Sequence, residues 1–445
     1  MDRQGESHLF YQSRQRRPRL QRAEGVYIWD VNGKRYLDGS SGAMVSNIGH
    51  SNPRVLAAMR KQMDIATFGY RLHFETEPGE ALAARVAGLA PEGLEKVFFV
   101  SGGSEAVETA IKLARQYKLA VGEAQRFKVI SRYPSYHGCT LGALALSGYA
   151  PMTAPFEPMM RLSPKIPAPR AYLDGLDPDD PATGRHYADM LEERILEEGP
   201  ETVLAFIVEP IGGASTGCLV PPRGYMARIR EICDAWNILL IHDEVLSGGG
   251  RTGTFLAADN WGTAPDIVAL SKGFGAGYMP LGAVVAHERV VEAVLGAGGF
   301  IHGFTYAGNP LACAAGLAVI DEIERQGLMA NALDVGTRLG ARLGALMNRY
   351  PMIGDVRGMG MLQAFELVAD RASMAPLPKA LNAYDRLVEA AYDEGLIIYA
   401  RRTRGGYSGD HFIVAPPMIA TDAHIDEIID KLTRALDRFV AEAGL

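Results

Sequence analysis

Two alternating apolar runs within residues 25–39 predict a β-hairpin near the N-terminus. The runs are joined by Asn32-Gly33, and an Asn-Gly pair in this setting is the strongest short-range signal for a hairpin turn. Asn52-Pro53 then opens a stretch in which apolar residues recur at the spacing of a helix. The helical positions are Val55, Leu56, Met59 and Met63. This spacing predicts an amphipathic helix directly after the hairpin.

From about residue 80, short continuous apolar runs alternate with segments of helical spacing. The first run, residues 98–100, precedes a glycine-rich turn and a helix with one apolar face. Further runs occupy residues 128–130, 204–208, 238–241 and 267–270. Apolar strands separated by helices are typical of a parallel sheet that is covered on both faces. The pattern therefore predicts an α/β fold with a mostly parallel sheet sandwiched by helices.

Two other segments complete the organisation of the chain. A cluster of prolines between residues 151 and 181 predicts an irregular surface loop, because the α/β pattern resumes after it. An amphipathic helix beginning at Thr421 or Asp422 is predicted to end the chain. Its apolar positions are Ile425, Ile428, Ile429, Leu432, Leu436 and Phe439.

We therefore divide the chain into three segments. Residues 1–65 are predicted to be the N-terminal segment of a small domain, 66–325 a large domain, and 326–445 the C-terminal part of the small domain. The two flanking segments are expected to form one smaller α+β domain together.

The composition excludes several classes of protein. Apolar residues make up 48% and charged residues 22%, which is ordinary globular usage. Without a run of about 18 apolar residues, no membrane-spanning helix is expected. The N-terminus also lacks the apolar segment of a secretory signal. The 4 cysteines form no C-x-x-C pair and no cluster with histidine, so we expect a reducing, cytoplasmic location and no metal site.

The charge of the chain bears on its partners. A net charge of −7 argues against nucleic acid. One local exception is the arginine-rich stretch from Arg14 to Arg22, which contains no acid. A phosphate-binding or targeting arm is one interpretation of this stretch. We favour the other, a solvated arm that lies on a neighbouring subunit.

The first candidate for chemistry is the turn after residues 98–100. There a buried strand runs into Gly102, Gly103 and Ser104 and then into a helix. Such a turn brings backbone N–H groups and the positive end of a helix dipole close to a phosphate. A tight strand-to-helix turn capped by Ser104 explains the same residues equally well. The turn alone therefore does not decide between a ligand site and a structural element.

Two further strand ends carry ionisable residues. Asp243 follows the run 238–241, and Lys272 follows the run 267–270 in a glycine-rich setting. Ligands of open α/β sheets bind at the carboxyl ends of the strands. An acid there can hold a cationic ring nitrogen, and a desolvated lysine suits Schiff-base chemistry. For Asp243 alone the alternative is a buried structural acid, and for Lys272 alone it is an exposed loop lysine. Together with the phosphate turn, however, the two residues provide the three contacts that pyridoxal phosphate needs.

A different cofactor is suggested by residues 248–253, which read G-G-G-R-T-G and match the G-x-G-x-x-G pattern. A dinucleotide site needs this pattern to open a helix directly after a strand, with an acid about 20 residues further on. Asp243 and Glu244 separate the glycines from the strand, and no matching acid follows. We therefore reject a nicotinamide-binding interpretation.

Six motifs in a common order carry a resemblance to a known family. They are S-G-G-S-E-A-V-E-T-A (101–110), S-Y-H-G (135–138), E-P-I-G-G (209–213), D-E-V-L-S-G-G-G-R-T-G (243–253), S-K-G-F-G-A-G-Y-M-P-L-G-A (271–283) and G-F-T-Y-A-G-N-P (303–310). In these motifs the chain resembles the class III aminotransferases, in particular the ω-amino acid–pyruvate type. The resemblance implies fold type I, with a large domain on a mostly parallel sheet and a smaller domain from both termini, and pyridoxal 5'-phosphate as cofactor.

The resemblance implies three catalytic residues and two ring contacts. Lys272 binds the cofactor covalently and afterwards moves the proton between the substrate and the cofactor. Asp243 pairs with the pyridine nitrogen and keeps it protonated. Glu209 is the family's strand-end acid near the substrate. Val245 packs against one ring face, and Tyr136 stacks on the other.

The remaining implied contacts hold the phosphate and join two subunits. Gly102, Gly103 and Ser104 bind the phosphate, although the family usually has a serine where Gly102 stands. His137 is counted among the cofactor-binding residues. Thr305 reaches the phosphate from the partner subunit, which makes the active unit a homodimer with shared sites, alone or within a tetramer.

Two departures from the family pattern concern the substrate. Met44 stands where ω-amino acid–pyruvate members often carry a tryptophan, which is expected to reshape the amine pocket. The family often has a carboxylate-binding arginine before a G-D-H run, here residues 409–411. Arg401, Arg402 and Arg404 compete for that role, and we name Arg402 as the favourite. A solvated basic loop is the alternative for each of the three.

These expectations combine in a transaminase that moves an amino group from a primary amine, such as an ω-amino acid, to a 2-oxo acid such as pyruvate by a ping-pong mechanism. An aminomutase of the glutamate-semialdehyde type and a decarboxylating transaminase are alternatives on the same scaffold. A non-catalytic binding protein of this fold is a more remote alternative, because it is expected to lack Lys272 or Asp243.

Overall fold

The computed structural model describes residues 8–445. The strands are β1 (Leu20–Glu24), β2 (Tyr27–Asp30), β3 (Arg35–Asp38), β4 (Leu94–Val100), β5 (Lys128–Tyr133), β6 (Lys165–Pro167), β7 (Val203–Val208), β8 (Leu239–Asp243), β9 (Ile267–Leu270), β10 (Gly282–His287), β11 (Ile353–Met359), β12 (Leu362–Asp370), β13 (Ala375–Pro376), β14 (Leu396–Ile397), β15 (Tyr399–Arg404) and β16 (Ser408–Val414).

The α-helices are α1 (Ser41–Met44), α2 (Pro53–Ile65), α3 (Glu77–Leu89), α4 (Gly103–Ala120), α5 (Leu141–Leu146), α6 (Ala150–Thr153), α7 (Ala171–Asp174), α8 (Pro181–Glu198), α9 (Tyr225–Ala235), α10 (Glu288–Gly296), α11 (Pro310–Arg325), α12 (Leu328–Leu346), α13 (Ala383–Asp393) and α14 (Asp422–Ala443). Short 3₁₀ helices occupy Ala154–Met159, Pro200–Thr202, Ala257–Trp261, Lys272–Phe274 and Lys379–Leu381.

A central sheet carries the site. Its strand order is β4-β10-β9-β8-β7-β5-β6, and β10 alone runs in the direction opposite to the other strands. Helices α4 and α10 pack against it, as do α8 and α9. The predicted α/β fold class with a mostly parallel sheet is confirmed. Because β7, β8 and β9 are adjacent and parallel, their carboxyl ends meet at one edge of the sheet.

The two ends of the chain meet in one of two smaller sheets. The predicted hairpin is confirmed as β2 and β3; β1 adds a strand on one side, and β14 pairs in parallel with β3 on the other, Leu396 opposite Leu37. A second sheet has the order β11-β12-β16-β15, with β13 paired to β12. The predicted helix after Asn52 and the C-terminal helix are confirmed as α2 and α14. The domain limits at 65 and 325 stay a prediction, and residues 1–7 of the first segment lie outside the described residues.

The proline-rich segment differs from its prediction. Residues 150–174 contain α6, α7, a 3₁₀ helix and β6, and β6 extends the central sheet in parallel with β5. The interpretation as an irregular loop is therefore wrong. Pro167 is tolerated in β6 because this strand lies at the edge of the sheet, where one side of the backbone needs no ladder partner.

The arginine-rich stretch lies on its own chain. The guanidinium of Arg17 stacks on the ring of Tyr392 at 4.2 Å, and Nη1 donates to Glu389 Oε2 at 2.8 Å. Arg17 is therefore fixed to its own chain, and the contact of this arm with a neighbouring subunit stays a prediction. Across residues 8–445, none of the helices has the length and apolar character needed to cross a bilayer.

Candidate active site

A cavity of about 300 Å³ opens at the carboxyl edge of the central sheet. It lies where β7, β8 and β9 end, beside the start of α4. Most of the predicted site residues line it: Met44, Gly103, Ser104, Tyr136, His137, Glu209, Asp243, Val245 and Lys272. Gly102, Thr305 and Arg402 do not line it. The fold therefore brings side chains that are far apart in sequence into one site.

Lys272 enters the cavity from the end of β9. The strand stops at Leu270, and Lys272 begins a 3₁₀ turn with a positive φ of 47°. A positive φ is strained for a residue with a side chain, and such strain clusters at functional sites. Burial lowers the pKa of the Lys272 amine, while the negative charges of Asp243 and Glu209 partly oppose this shift. The amine is therefore more readily neutral, and so nucleophilic, than an exposed lysine.

Asp243 is the last residue of β8 and is held from two sides. Its Oδ2 lies 2.8 Å from His137 Nδ1, and its Oδ1 accepts a hydrogen bond from the Val245 N–H at 3.1 Å. His137 is itself fixed, since its main-chain N–H donates to Ser147 Oγ at 2.8 Å. The carboxylate is only 5% exposed. Such bonds hold Asp243 in one orientation at the cavity wall.

Glu209 directly follows β7, and only one of its two carboxylate oxygens has a hydrogen-bond partner among the described residues. Oε1 accepts from the Gly213 N–H at 2.9 Å, whereas Oε2 is buried with no hydrogen-bond partner among the described residues. Burial raises the pKa of this carboxyl group. Arg132, also buried, donates to the Glu209 main-chain carbonyl at 2.7 Å. A buried acid with an unpartnered oxygen in a cavity is suited to contact a ligand.

The start of α4 forms another part of the cavity wall. Gly102 is extended, α4 begins at Gly103, and the first N–H groups of a helix have no acceptor within it. A Cβ on Gly103 would lie 2.8 Å from Val245 Cγ1, so a glycine is needed for this close approach. Ser104 Oγ accepts from the Cys139 N–H at 3.0 Å. This end is built to bind an anion.

The aromatic wall of the cavity includes Tyr136. Burial raises the pKa of its hydroxyl to about 12, so it is protonated at neutral pH. Val245 is half-buried and packs against the core beneath the central sheet. Both side chains offer flat or apolar surface to a ring.

The residues present fit pyridoxal phosphate. The site combines a desolvated amine, a buried carboxylate fixed by an imidazole, and a helix start open to an anion. The Nε2 of His137 and the Oε2 of Glu209 are buried polar atoms without hydrogen-bond partners in the described part of the chain. Unpartnered buried polar atoms are costly unless a ligand or water satisfies them. The cavity is thus chemically matched to this cofactor.

The arginine segment differs from the prediction. The predicted loop is a hairpin of β15 and β16, and successive side chains of a strand point to opposite faces. Arg401 lines the cavity, whereas Arg402 Nε is bonded to Asp410 Oδ1 at 2.8 Å on the other face. Arg404 donates to the Met374 carbonyl. The choice of Arg402 as the arginine that faces the site is therefore wrong: Arg401, one position away, lines the cavity, and a carboxylate-binding role for it stays a prediction.

Several cavity residues were missed by sequence reasoning. Met152 comes from the proline-rich segment and Tyr149 lies just before it, where the sequence has no local signal for a site. Tyr399 lies two positions before Arg401 on β15 and shares its face, so strand alternation would have found it once the strand was recognised. Ala214 and Ser215 form a small, uncharged wall after Glu209.

Thr305 is exposed on its own chain. Exposed apolar side chains flank it in sequence, including Ile301 and Tyr306, and the Tyr306 ring contacts the exposed Phe68 at a centroid distance of 6.0 Å. An exposed apolar surface of this kind is typical of a protein interface.

Comparisons with known proteins agree on one family. The family model described as aminotransferase class-III matches residues 11–436. The putrescine–pyruvate aminotransferase of Pseudomonas aeruginosa is 36% identical over 95% of this chain and 91% of its own length. An (S)-enantioselective ω-transaminase from Thermomicrobium roseum superposes with a TM-score of 0.91, at 37% identity, over 98% of this chain and 96% of that one. An amine transaminase from an uncultivated Pseudomonas species, solved with pyridoxal phosphate bound, has a TM-score of 0.90 at 36% identity over 98% and 99% of the two chains.

Proposed function

The chain belongs to the class III aminotransferases and uses pyridoxal phosphate; from this premise we propose that its amine donor carries a distal carboxylate, as an ω-amino acid does. The acceptor is a 2-oxo acid such as pyruvate, and the two substrates react in turn at one site. The observation that carries this proposal is the guanidinium of Arg401 at the cavity wall.

Arg401 has contacts but no counter-charge. Its Nη1 donates to the Tyr384 hydroxyl at 3.1 Å and to the Ala400 carbonyl at 3.0 Å, and its guanidinium lies 4.5 Å from the centroid of the Tyr399 ring. All three partners are neutral, and no carboxylate within residues 8–445 forms an ion pair with it. A guanidinium in a concave site binds carboxylates by charge-assisted, bidentate hydrogen bonds. We therefore expect a carboxylate of the substrate to form the ion pair that Arg401 lacks.

The relatives support an amine donor with pyruvate as acceptor. The Pseudomonas aeruginosa relative acts on putrescine and pyruvate, and the Thermomicrobium relative is an ω-transaminase. A diamine is thus the second donor class to compare with an ω-amino acid. The cationic Arg401 disfavours a second ammonium group at its end of the cavity, which argues for the acidic donor here.

We propose that Lys272 holds the cofactor and moves the proton at the substrate carbon. When bound, pyridoxal phosphate supplies a carbonyl carbon to which amines add and a cationic ring that delocalises an electron pair. The lowered pKa of Lys272 keeps its amine available both to bond to the cofactor and to accept a proton. Glu209, with its raised pKa and free oxygen, is placed to contact the substrate or the ring substituent beside it.

Asp243 and His137 act as a unit in this proposal. The carboxylate of Asp243, oriented by His137 and by the Val245 N–H, holds a proton at the ring nitrogen. Tyr136 and Val245 bind the two faces of the ring. The start of α4, with Gly102, Gly103 and Ser104, binds the phosphate.

The first test compares two arginine variants, Arg401→Gln and Arg402→Gln. In the donor half-reaction without acceptor, we expect Arg401→Gln to lower kcat/KM for an ω-amino acid by about 10- to 100-fold, the worth of a charged hydrogen bond. The kcat/KM for an alkylamine of the same length, which lacks the carboxylate, should stay unchanged. Arg402→Gln removes the same charge from the opposite strand face and is the control. Equal losses for both amines in Arg401→Gln would contradict the proposed carboxylate contact.

The same half-reaction separates the alternative activities. An aminotransferase converts one amine per site and then waits for an oxo acid, so turnover depends on the acceptor. An aminomutase needs no external acceptor, and a decarboxylating enzyme releases carbon dioxide. Loss of the cofactor's absorption band with ω-amino acids alone, without gas release, is the expected result.

We further propose a homodimer in which Thr305 serves the partner's site. Thr305 is exposed and outside its own cavity, beside an apolar surface that a second copy would cover. Thr305→Ala is expected to weaken retention of the cofactor about tenfold through loss of one hydrogen bond to phosphate. Dimers mixed from Thr305→Ala and Lys272→Ala subunits should regain activity at limiting cofactor, because one site per hybrid is intact. Failure of complementation would show that Thr305 does not act across the interface.

A further inference from the structure

The sheet that carries Arg401 also contains a buried acid in line with it. In the register of the sheet, Glu366 on β12 lies directly opposite His411 on β16, and His411 lies directly opposite Arg401 on β15. Residues directly opposite each other on adjacent strands point to the same face of a sheet. Glu366, His411 and Arg401 therefore form one row across the sheet, with Glu366 fully buried.

Glu366 reaches across β16 to β15 over a glycine. Its Oε1 lies 3.0 Å from the Thr403 hydroxyl, which is two positions after Arg401 and on the same strand face. Gly409 lies between them, since a Cβ there would lie 2.3 Å from Thr403 Oγ1 and 3.0 Å from Glu366 Oε1. The missing side chain of Gly409 is what allows this contact between strands that are not neighbours.

The other oxygen of Glu366 ties the sheet to the wall of the cavity. Oε2 accepts from Arg357 Nη2 at 3.0 Å and from the Tyr172 hydroxyl at 2.9 Å. The same Arg357 nitrogen lies 2.9 Å from the Thr216 carbonyl, next to Ser215 of the cavity wall. Arg357 also pairs with Asp355 at 2.6 Å. One carboxylate thus links the strand of Arg401 to the segment that carries Ser215, another residue of the cavity wall.

We propose that Glu366 is a positioning residue for substrate specificity. It acts on β15 through Thr403 and, through Arg357 of β11, on the segment that contains Ser215 and Thr216. It holds Arg401 at a set distance from the wall formed by Ala214 and Ser215, and so sets the length of the acidic amine that fits. This inference rests on the proposed role of Arg401 in binding a substrate carboxylate.

Thr403→Val tests the link while leaving the buried ion pair intact. The change removes only the hydroxyl, because valine has nearly the same shape. In the donor half-reaction, the apparent dissociation constant for the ω-amino acid should rise about fivefold, the worth of one hydrogen bond of ordinary strength. The rate at saturation, and both constants for the alkylamine, should be unchanged. Thr403→Ser, which keeps the hydroxyl, should have the same apparent dissociation constant for the ω-amino acid as the unmodified protein.

Tyr172→Phe is the matched control. It removes a hydrogen bond from the same carboxylate but leaves the ring stacked on Arg357 and does not touch β15. A lower melting temperature with unchanged discrimination between the two amines is expected. The positioning role would be overturned if Thr403→Val left the discrimination between the two amines unchanged. It would also be overturned if Thr403→Ser lost that discrimination, or if Tyr172→Phe lowered it as much as Thr403→Val does.

The arginine variant separates this inference from the proposed function. If Arg401→Gln loses discrimination and Thr403→Val keeps it, only the role of Glu366 is wrong. If Arg401→Gln itself keeps discrimination, the carboxylate contact is wrong and the positioning role falls with it.

Discussion

Lys272→Ala is expected to abolish amino transfer, lowering the rate by at least about 10⁴-fold. The residue lies beyond β9 with its amine in the cavity, and burial lowers its pKa. Because one group both holds the cofactor and moves the proton, its loss removes two functions at once. The variant should also lose the covalent bond to the cofactor, seen as an absent mass increase after borohydride treatment.

Lys165→Met is the control for this experiment. Lys165 is a second lysine whose pKa is lowered by burial, to about 8, but it lies on β6 and donates to the carbonyls of Ala145 and Ser163. It is expected to keep both the turnover and the mass increase, and to lower only the stability of the protein, because two hydrogen bonds are lost. Turnover in Lys272→Ala close to that of the unmodified protein would contradict the assignment of Lys272.

Asp243→Asn is expected to keep the cofactor and to lower the rate by about 10²- to 10³-fold. An amide cannot balance a positive charge at the ring nitrogen, so the ring delocalises the electron pair less well. The substitution conserves shape, and the Val245 N–H can still donate to the side-chain oxygen. Cofactor retention is measured by dialysis and the rate in the donor half-reaction.

Glu244→Gln is the neighbouring control. Glu244 is fully buried, and burial raises its pKa to about 7, but its oxygens accept from Ser247 Oγ and from the N–H groups of Ala257 and Ala258, away from the cavity. A change at Glu244 is therefore expected to affect stability and leave the rate nearly unchanged. Equal rates in Asp243→Asn and the unmodified protein would show that another group holds the ring nitrogen.

The residues at the strand ends could be predicted because their signals are local. Each of Asp243, Lys272 and the turn at Gly103 follows a continuous apolar run, and parallel strands bring their carboxyl ends together whatever the order of the strands. The motifs around them carry the family resemblance, which the comparisons confirm. The hairpin at Asn32-Gly33 and the capped helix at Thr421 follow from equally local rules.

The arginine and the aromatic wall could not be predicted in the same way. Arg401 and Arg402 are neighbours in a basic run, and only the register of β15 against β16 places one in the cavity and pairs the other with Asp410. Tyr149 and Met152 lie in the segment between β5 and β6, two strands that pair in parallel at the sheet edge. No periodic spacing in the sequence indicates that Tyr149 or Met152 lies at the site.

The sequence by itself thus determined the fold class, the family and the cofactor chemistry, because these depend on apolar periodicity and on residues placed next to strand ends. The tertiary structure decided which arginine lines the cavity and which buried acid is hydrogen-bonded to its strand. The physical reason is the period of two in a β-strand: a shift of one residue reverses the face of every side chain, and strand register is decided by long-range pairing.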